Sequence, residues 1–263
     1  MTLLEKIIEH KHRELSGRME TAPVEDLRKL PGFNRKTVSL TRALLDPEGT
    51  GIIAEFKRKS PSRGVLNQDA TIEEVTTGYF RAGASALSVL TDREFFGGSA
   101  EDLVRAREIN PIPILRKDFI LHEYQVVESK ALGADVILLI AAVLDRASIN
   151  RLAALARSLQ LQVILEIHEE SELKMLNEQI SVVGVNNRDL RDFSVDTDRS
   201  VKLAPLIPGE FLKISESGIQ SPFAIQQLRS YGYNGFLMGE RFMRDPDPAT
   251  AFAAFVKQLI QNL

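Results

Sequence analysis

The feature that most constrains the fold is a regular alternation of short apolar, β-branched runs with stretches of helical periodicity. Each interval between runs is long enough for one helix and two loops, the pattern of βαβ units in a parallel sheet. Eight such units in about 250 residues predict an α/β fold, the closed (β/α)8 TIM barrel. An open doubly wound sheet has the same local pattern and is the alternative. The predicted strands are Ile52–Lys57, Ala86–Leu90, Ile112–Lys117, Val136–Ile140, Val163–Ile167, Val182–Asn186, Phe211–Ser215 and Gly235–Met238.

Helices are predicted between these strands from apolar spacing and capping signals. Ser221-Pro222 and Asp247-Pro248 each pair a capping side chain with a proline at the first helical position. Residues 99–102, Ser-Ala-Glu-Asp, predict a capping box. Two helices show an apolar face, formed by Ile149, Leu152, Leu155, Ala156 and Leu159 in one and by Phe252, Phe255, Val256, Leu259 and Ile260 in the other.

Residues 1–48 precede the barrel pattern and differ from it. Leu3, Leu4, Ile7 and Ile8 predict an amphipathic helix, and a polar stretch with several turn-forming residues follows. We therefore expect an N-terminal helical extension packed on the barrel. The whole chain, residues 1–263, is predicted to be a single domain.

Composition excludes several classes of protein. The chain has no cysteine, so it has no disulfide framework, no thiolate zinc site and no cysteine nucleophile. With 33 Lys+Arg against 36 Asp+Glu the net charge is −3, and without basic runs we expect no nucleic-acid partner. The four histidines lack metal-ligand spacing, and no nucleotide-binding glycine loop or serine-hydrolase elbow is present. We therefore expect neither a metal nor an organic cofactor.

The N terminus does not have the pattern of a targeting segment, since Glu5 and Lys6 interrupt its apolar residues. The longest apolar run, Val136 to Leu144, is far shorter than the ~20 residues that cross a bilayer. We expect no membrane association and a cytoplasmic location.

Charged and amide side chains stand where the predicted strands end. The carboxyl ends of barrel strands form the face on which the active sites of this fold are built. Residues two apart on a strand point the same way, so these side chains are expected to meet in one mouth. Lysines and glutamates placed together shift one another's pKa and suit proton transfer, which predicts an enzyme. The residues concerned are Glu55, Lys57, Lys117, Glu166, Asn186, Arg188 and Glu216.

Small residues follow the last two predicted strands, in the segments Ser215–Gly218 and Met238–Glu240. Glycine at such a turn lets backbone N–H groups approach an anion, and the loops after the seventh and eighth strands are the usual phosphate site of this architecture. The two segments predict a phosphorylated small-molecule substrate.

Several of these segments resemble the indole-3-glycerol phosphate synthase family, and the similarity extends over essentially the whole chain. The most specific is IAEFKRKSPS at residues 53–62, continued by Arg63 and Gly64. It is joined by LRKDFI at 115–120, LEI at 165–167, GVNNRDL at 184–190 and ISESGI at 214–219. Since no second catalytic domain fits in this length, the resemblance implies the monofunctional form.

The resemblance implies the conversion of 1-(2-carboxyphenylamino)-1-deoxyribulose 5-phosphate to indole-3-glycerol phosphate, with loss of CO2 and water, in tryptophan biosynthesis. It implies Lys117 as general acid of ring closure, Lys57 with Glu55 in substrate contact and dehydration, and Glu166 as base or charge stabiliser. How these four divide the acid and base roles is left open. The implied substrate-binding residues are Ser60, Phe119, Asn186, Arg188, Glu216 and Ser217, and the implied phosphate-binding residues are Gly218, Gly239 and Glu240, the last through its backbone N–H alone.

Two other functions remain open on the sequence. A Schiff-base aldolase would use a strand lysine, but it needs that lysine in an apolar setting, and both lysines here have carboxylates nearby. A non-catalytic, partner-binding barrel would have no need for the lysines and glutamates together. Any association with other enzymes of the tryptophan pathway is left undetermined.

Overall fold

The computed structural model describes residues 2–189 and 194–261. Leu190, the last residue of the GVNNRDL segment, lies outside the described residues, as do the two ends of the predicted 1–263 domain. Eight parallel strands close into a barrel, in which the first barrel strand pairs with both the second and the last. This confirms the TIM barrel and excludes the open sheet. The barrel strands are β1 (Ile52–Phe56), β4 (Ala86–Leu90), β5 (Ile114–Lys117), β6 (Val136–Ile140), β7 (Gln162–Ile167), β8 (Val182–Asn186), β9 (Leu212–Glu216) and β10 (Gly235–Met238).

Helices surround the barrel, and an N-terminal helical segment precedes it, as predicted. The extension contains α1 (Leu3–Thr21), α2 (Val24–Leu27), a 3-10 turn (Pro31–Asn34) and α3 (Leu40–Leu44). The helices that follow are α4 (Ile72–Arg81), α5 (Ala100–Ile109), α6 (Glu123–Ala131), α7 (Arg146–Ser158), α8 (Asp198–Leu203), α9 (Pro222–Ser230), α10 (Glu240–Met243) and α11 (Pro248–Gln261), with 3-10 turns at Glu170–Met175 and Ala204–Leu206.

Alternation along the strands separates two apolar regions. Outward side chains such as Ile52 and Ala54 pack against the helices, and inward ones such as Ile53, Ile164 and Ile214 fill the barrel. On β1, β5, β7, β8 and β9 the inward row becomes polar or charged at the carboxyl end, whereas on β6 it stays apolar up to Ile140. The interior of the barrel is therefore apolar near the amino ends of the strands, and the charged residues of the mouth lie directly above this apolar layer.

The extension is anchored on the barrel by packing and by buried charge. Leu15 and Leu27 pack against Tyr124 and Val127 of α6. Asp135, which is fully buried, accepts hydrogen bonds from Arg35 and from the backbone N–H of Val38 and also pairs with Arg107. These contacts fix the chain that leads into β1.

Several boundaries differ from the prediction. β1 ends at Phe56, one residue before Lys57, and a short hairpin of β2 (Lys59–Ser60) and β3 (Gly64–Val65) follows it, which no sequence pattern indicated. β5 begins only after Pro113, a residue that cannot donate to a ladder. Small shifts also occur at the start of β7 and at both ends of β9.

Helix details also differ. The spacing predicts Ile260 on the apolar face of the last helix, but this prediction is wrong: Ile260 is 60 % exposed, and Phe252, Phe255, Val256 and Leu259 are the residues of that face that pack in the core. Leu159 is the residue after α7, not part of it. Ser99 caps α5 through the N–H of Asp102, but the Asp102 carboxylate does not complete the box; it binds Arg58 instead. The caps at Ser221 and Asp247 form as predicted.

Candidate active site

A cavity of about 360 Å³ opens at the carboxyl ends of the barrel strands. It gathers residues from strands and loops that are far apart in the chain, since closure of the barrel brings their ends together. All of the site residues that the sequence singled out lie in its wall: Glu55, Lys57, Ser60, Lys117, Phe119, Glu166, Asn186, Arg188, Glu216, Ser217, Gly218, Gly239 and Glu240.

Lys117 lies at the centre of a carboxylate cluster. Its Nζ is 2.9 Å from Glu166 Oε2 and 3.5 Å from Glu216 Oε2. Burial lowers the pKa of Lys117, but Glu166, Glu216 and Glu55 outweigh burial and raise it above the ordinary lysine value. Lys117 is therefore a protonated donor, aimed into the cavity from the end of β5.

Glu216 is a carboxyl group of this cluster whose negative charge is poorly compensated by its surroundings. It is 1 % exposed, and its Oε1 has no hydrogen-bond partner among the described residues. Burial, together with the carboxylates of Glu166 and Glu55, raises the pKa of Glu216 to about 8 even though Lys117 opposes the shift. A Cβ at Gly184 would overlap the Glu216 carboxylate, so glycine on the neighbouring strand provides the space that this side chain occupies.

Lys57 and Glu55 form a second pair beside the first. Lys57 Nζ is 2.6 Å from Glu55 Oε1, and the lysine side chain is 15 % exposed at the mouth. A Cβ at Gly239 would come within 2.7 Å of Glu55 Oε1. The absence of a side chain at Gly239 therefore leaves space for the Glu55 carboxylate. This is separate from the proposed binding of an anion by the backbone N–H of Gly239.

One wall of the cavity is apolar. Phe119 and Phe96 lie with their ring centroids 6.2 Å apart, and Leu138 and Ile140 line the same wall. Phe119 follows Lys117 by two residues, so an aromatic surface and a proton donor share one side of the site. Phe96, on the loop after β4, was missed because no periodicity marks a loop residue.

On the opposite side of the cavity, backbone N–H groups are arranged to bind an anion. The side chains there form ion pairs with one another. Ser217 and Gly218 follow β9 with φ of 68° and 78°, and successive residues in this region form concave N–H surfaces. Glu240 begins the short helix α10, and its carboxylate lies 3.0 Å from Arg188 Nη2 and 3.4 Å from Arg63 Nε. The prediction involved only the backbone of Glu240; these ion pairs of its side chain were not anticipated.

A buried charge network beneath the apolar wall was also missed. Lys11 of α1 has a fully buried side chain, and its Nζ is 3.0 Å from Asp92 and 3.0 Å from Asp118. Asp118 binds the backbone N–H of Phe119, and Asp92 binds that of Phe95. The signal was present in the sequence, because Lys11 follows Ile7 by four residues and so lies on the apolar face of the helix.

Within residues 2–189 and 194–261 no group of three or more His, Asp and Glu side chains is arranged to hold a metal ion. In the same part of the chain, no helix combines the length and the apolar character needed to cross a membrane.

Comparison with known proteins places the chain in a family and agrees with the fold. Residues 4–255 match the family model described as indole-3-glycerol phosphate synthase. A protein of that name from Bacteroides thetaiotaomicron is 44 % identical over 259 residues, covering 98 % of both chains. One from Polaromonas naphthalenivorans is 42 % identical, covering 95 % of this chain and 97 % of the relative.

Among solved structures, 3-hexulose-6-phosphate synthase from Salmonella typhimurium matches with a TM-score of 0.60 at 14 % identity, covering 81 % of this chain and 100 % of that one. At this identity the likeness concerns the fold alone. The family match spans nearly the whole chain and includes the strands and loops that build the charged cavity, so the chain belongs to the indole-3-glycerol phosphate synthase family.

Proposed function

We propose that this chain converts 1-(2-carboxyphenylamino)-1-deoxyribulose 5-phosphate to indole-3-glycerol phosphate, with release of CO2 and water. The observation that carries the proposal is a protonated lysine, Lys117, held by Glu166 and Glu216 beside the Phe96–Phe119 wall. A carboxyphenyl ring fits the apolar wall, and the lysine then lies next to the ketone that the ring attacks.

Ring closure forms a bond between the aromatic carbon that bears the carboxylate and the ketone carbon. Lys117 donates its proton to the developing alkoxide, and the adjacent carboxylates favour return of a proton to the amine. Loss of CO2 then restores the aromatic ring without an electron-sink cofactor. General acid catalysis of this kind contributes about 10²–10⁴-fold.

Dehydration needs an acid for the departing hydroxyl and a base for the proton lost from carbon. Glu166 is 1 % exposed, and although burial raises its pKa, Lys117 and His168 outweigh burial and lower it, so the group is ionised and can act as the base. Lys57, paired with Glu55 at the mouth, supplies the acid. Asn186 is one of the hydrogen-bond partners that hold Glu166 in place.

The substrate's phosphate binds at the loops after β9 and β10. Ser217, Gly218 and Gly239 offer backbone N–H groups there, while Ser60 on β2 is proposed to hold the substrate carboxylate or an adjacent polar group and Arg188 after β8 to position the substrate. The whole chain is proposed to act as one domain, on a small phosphorylated substrate, in the cytoplasm and without a metal or organic cofactor.

The Schiff-base alternative has no support in the geometry. An imine-forming lysine must be neutral, whereas Lys117 is held protonated by its carboxylates and Lys57 is ion-paired with Glu55. Borohydride in the presence of substrate is expected to trap no adduct.

Replacement of Lys117 tests the proposal. Lys117→Met keeps most of the side-chain volume but removes the proton, so kcat is expected to fall by about 10²–10⁴-fold while substrate affinity changes less. Single-turnover measurement of indole absorbance gives the rate, and circular dichroism checks the fold. Lys57→Met is the matched variant and should slow dehydration, not ring closure. A folded Lys117→Met enzyme within about threefold of the original kcat would show that the acid lies elsewhere.

A further inference from the structure

His168 lies beside Glu166 and takes no part in the reaction described above. It directly follows β7 and comes two residues after Glu166, so the two side chains leave the chain on the same, inward side of the barrel. Its side chain is only 11 % exposed. A buried ionisable ring next to the proposed base calls for a physical explanation.

The imidazole lies between two carboxylates. Its Nε2 is 3.5 Å from Glu166 Oε1, and its Nδ1 is 3.9 Å from Glu172 Oε2. Glu166 thus faces a different side chain at each oxygen, because its Oε2 accepts a hydrogen bond from Lys117. Neither ring nitrogen of His168 has a hydrogen-bond partner among the described residues.

Glu172 is held in place behind the ring. In the 3-10 turn after β7, its Oε2 accepts the backbone N–H groups of His168 and Glu169. The carboxylate therefore fixes the backbone of His168 and presents a negative charge to the far side of the imidazole. Each nitrogen of the ring thus faces a carboxylate oxygen, Glu166 on one side and Glu172 on the other.

We propose that His168 is a positioning residue for the base: it attracts Oε1 of Glu166, so that the carboxylate stays ionised and keeps Oε2 directed to Lys117 and the substrate. His168 thereby acts on the proton-abstraction step without touching the reacting atoms. This inference rests on the proposed function, in which Glu166 is the base of dehydration.

The charges around the ring determine the direction of the effect. Burial raises the pKa of Glu166, and Lys117 and His168 oppose burial. Without His168, Lys117 would be the one charged group of these two left to oppose the effect of burial on the Glu166 carboxyl. The pKa of Glu166 then rises, so that the base is lost at a higher pH. Glu172, whose own pKa is raised by burial, has no direct contact with the substrate cavity.

The test is the pH dependence of kcat in His168→Leu and His168→Gln. Leucine removes both charge and donor, whereas glutamine keeps an N–H donor near the position of Nε2. The acid limb of the kcat profile is expected to move up by about one pH unit in His168→Leu, a tenfold loss at low pH, with less than about threefold change on the plateau. His168→Gln should lie between His168→Leu and the unaltered enzyme, and KM should change little in either.

Controls separate this role from a structural one and from the proposed function. His12→Asn, on an exposed site of α1, should leave the profile unchanged. Thermal unfolding reports any loss of fold; a variant that is merely unstable loses activity at every pH, without a shift of the limb.

Glu166→Gln should abolish dehydration. If Glu166→Gln retains full activity, the proposed function of Glu166 is wrong. If Glu166→Gln is inactive but both folded His168 variants keep the original acid limb, the inference about His168 is overturned.

Discussion

Single residues without side chains make the charged cluster possible. Gly184 on β8 and Gly239 after β10 stand where a Cβ would meet the carboxylates of Glu216 and Glu55. Each glycine therefore acts through the neighbour for which it makes room. Glu216 is buried, and its Oε1 finds no hydrogen-bond partner in residues 2–189 and 194–261, so the fold holds this carboxyl group at a cost in stability, as is common for buried groups at active sites.

Glu216→Gln tests this cost. The pKa of Glu216 is raised to about 8, so above its ordinary value of 4.5 the folded protein holds a proton that the unfolded chain releases. Stability associated with this group is therefore complete below the unfolded pKa and declines as pH rises through the folded one. Glutamine removes that decline, so the variant's melting temperature should exceed the original by about 2–4 °C at pH 8, the effect of ~1 kcal/mol, and by less at pH 4.

Calorimetry at both pH values gives the comparison for Glu216→Gln, with kcat expected to fall because the cluster around Lys117 changes. The exposed Glu210→Gln serves as control. Equal melting temperatures for Glu216→Gln and the original enzyme at pH 8 would mean that ionised Glu216 carries no penalty.

At the scale of elements, helix α1 of the extension belongs to the architecture of the site. Its Lys11 joins Asp92 after β4 to Asp118 after β5, and these two aspartates bind the backbone of the loops that carry the aromatic wall. Burial raises the pKa of Asp118, but Lys11 and Arg116 outweigh burial and lower it to about 2. The helix thus contributes a buried cation that two barrel loops require.

Lys11→Met is expected to lower the free energy of unfolding by about 3–5 kcal/mol, because it removes the buried cation that pairs with Asp92 and leaves Asp118 with Arg116 alone. Activity should fall through a higher KM as the Phe96–Phe119 wall loses its support. Urea unfolding and steady-state kinetics provide the measurements, with Lys6→Met, exposed on the same helix, as matched control. A Lys11→Met protein that unfolds at the original urea concentration would show that the aspartates are satisfied without Lys11.

At the scale of the whole molecule, the phosphate side of the cavity is assembled from loops that follow four strands. Glu240 after β10 pairs with Arg188 after β8 and with Arg63 after β1, and the strand end at Ser217 lies between them. In this arrangement the Glu240 carboxylate forms ion pairs with Arg188 and Arg63 at the place where a phosphate is proposed to bind. Substrate binding must therefore overcome both the repulsion by this carboxylate and its ion pairs.

Glu240→Ser should consequently strengthen phosphate binding. The KM for the phosphorylated substrate is expected to fall by about threefold to tenfold, up to ~1.4 kcal/mol of binding free energy, and inorganic phosphate should become a stronger competitive inhibitor. A dephosphorylated substrate is the matched control, since its KM should not change. A rise in the KM of the phosphorylated substrate would mean that Glu240 serves chiefly to hold the arginines for binding.

Much of this organisation is local and could be predicted from the sequence. Strand and helix periodicity, with the count of eight units, predicts the barrel, and polar residues at strand ends predict which side chains share its mouth. Alternation alone places Glu166 and His168 on one side of β7, although the spacing of the histidines bears only on metal binding and gives His168 no other role. The apolar pattern of Leu3 to Ile8 predicts the helix of the extension, and its four-residue spacing places Lys11 on the same face as Ile7, but that spacing does not identify the two aspartates that Lys11 meets.

What only the tertiary structure decided is which charges meet. Lys11 reaches Asp92 and Asp118, and Glu240 reaches Arg188 and Arg63, through contacts between segments distant in sequence. The burial that raises the pKa of Glu216 likewise depends on Gly184 of the next strand. Secondary structure follows from a periodicity that each short segment carries within itself, whereas Coulomb interactions and desolvation depend on distances of a few ångströms that exist only after the barrel has closed.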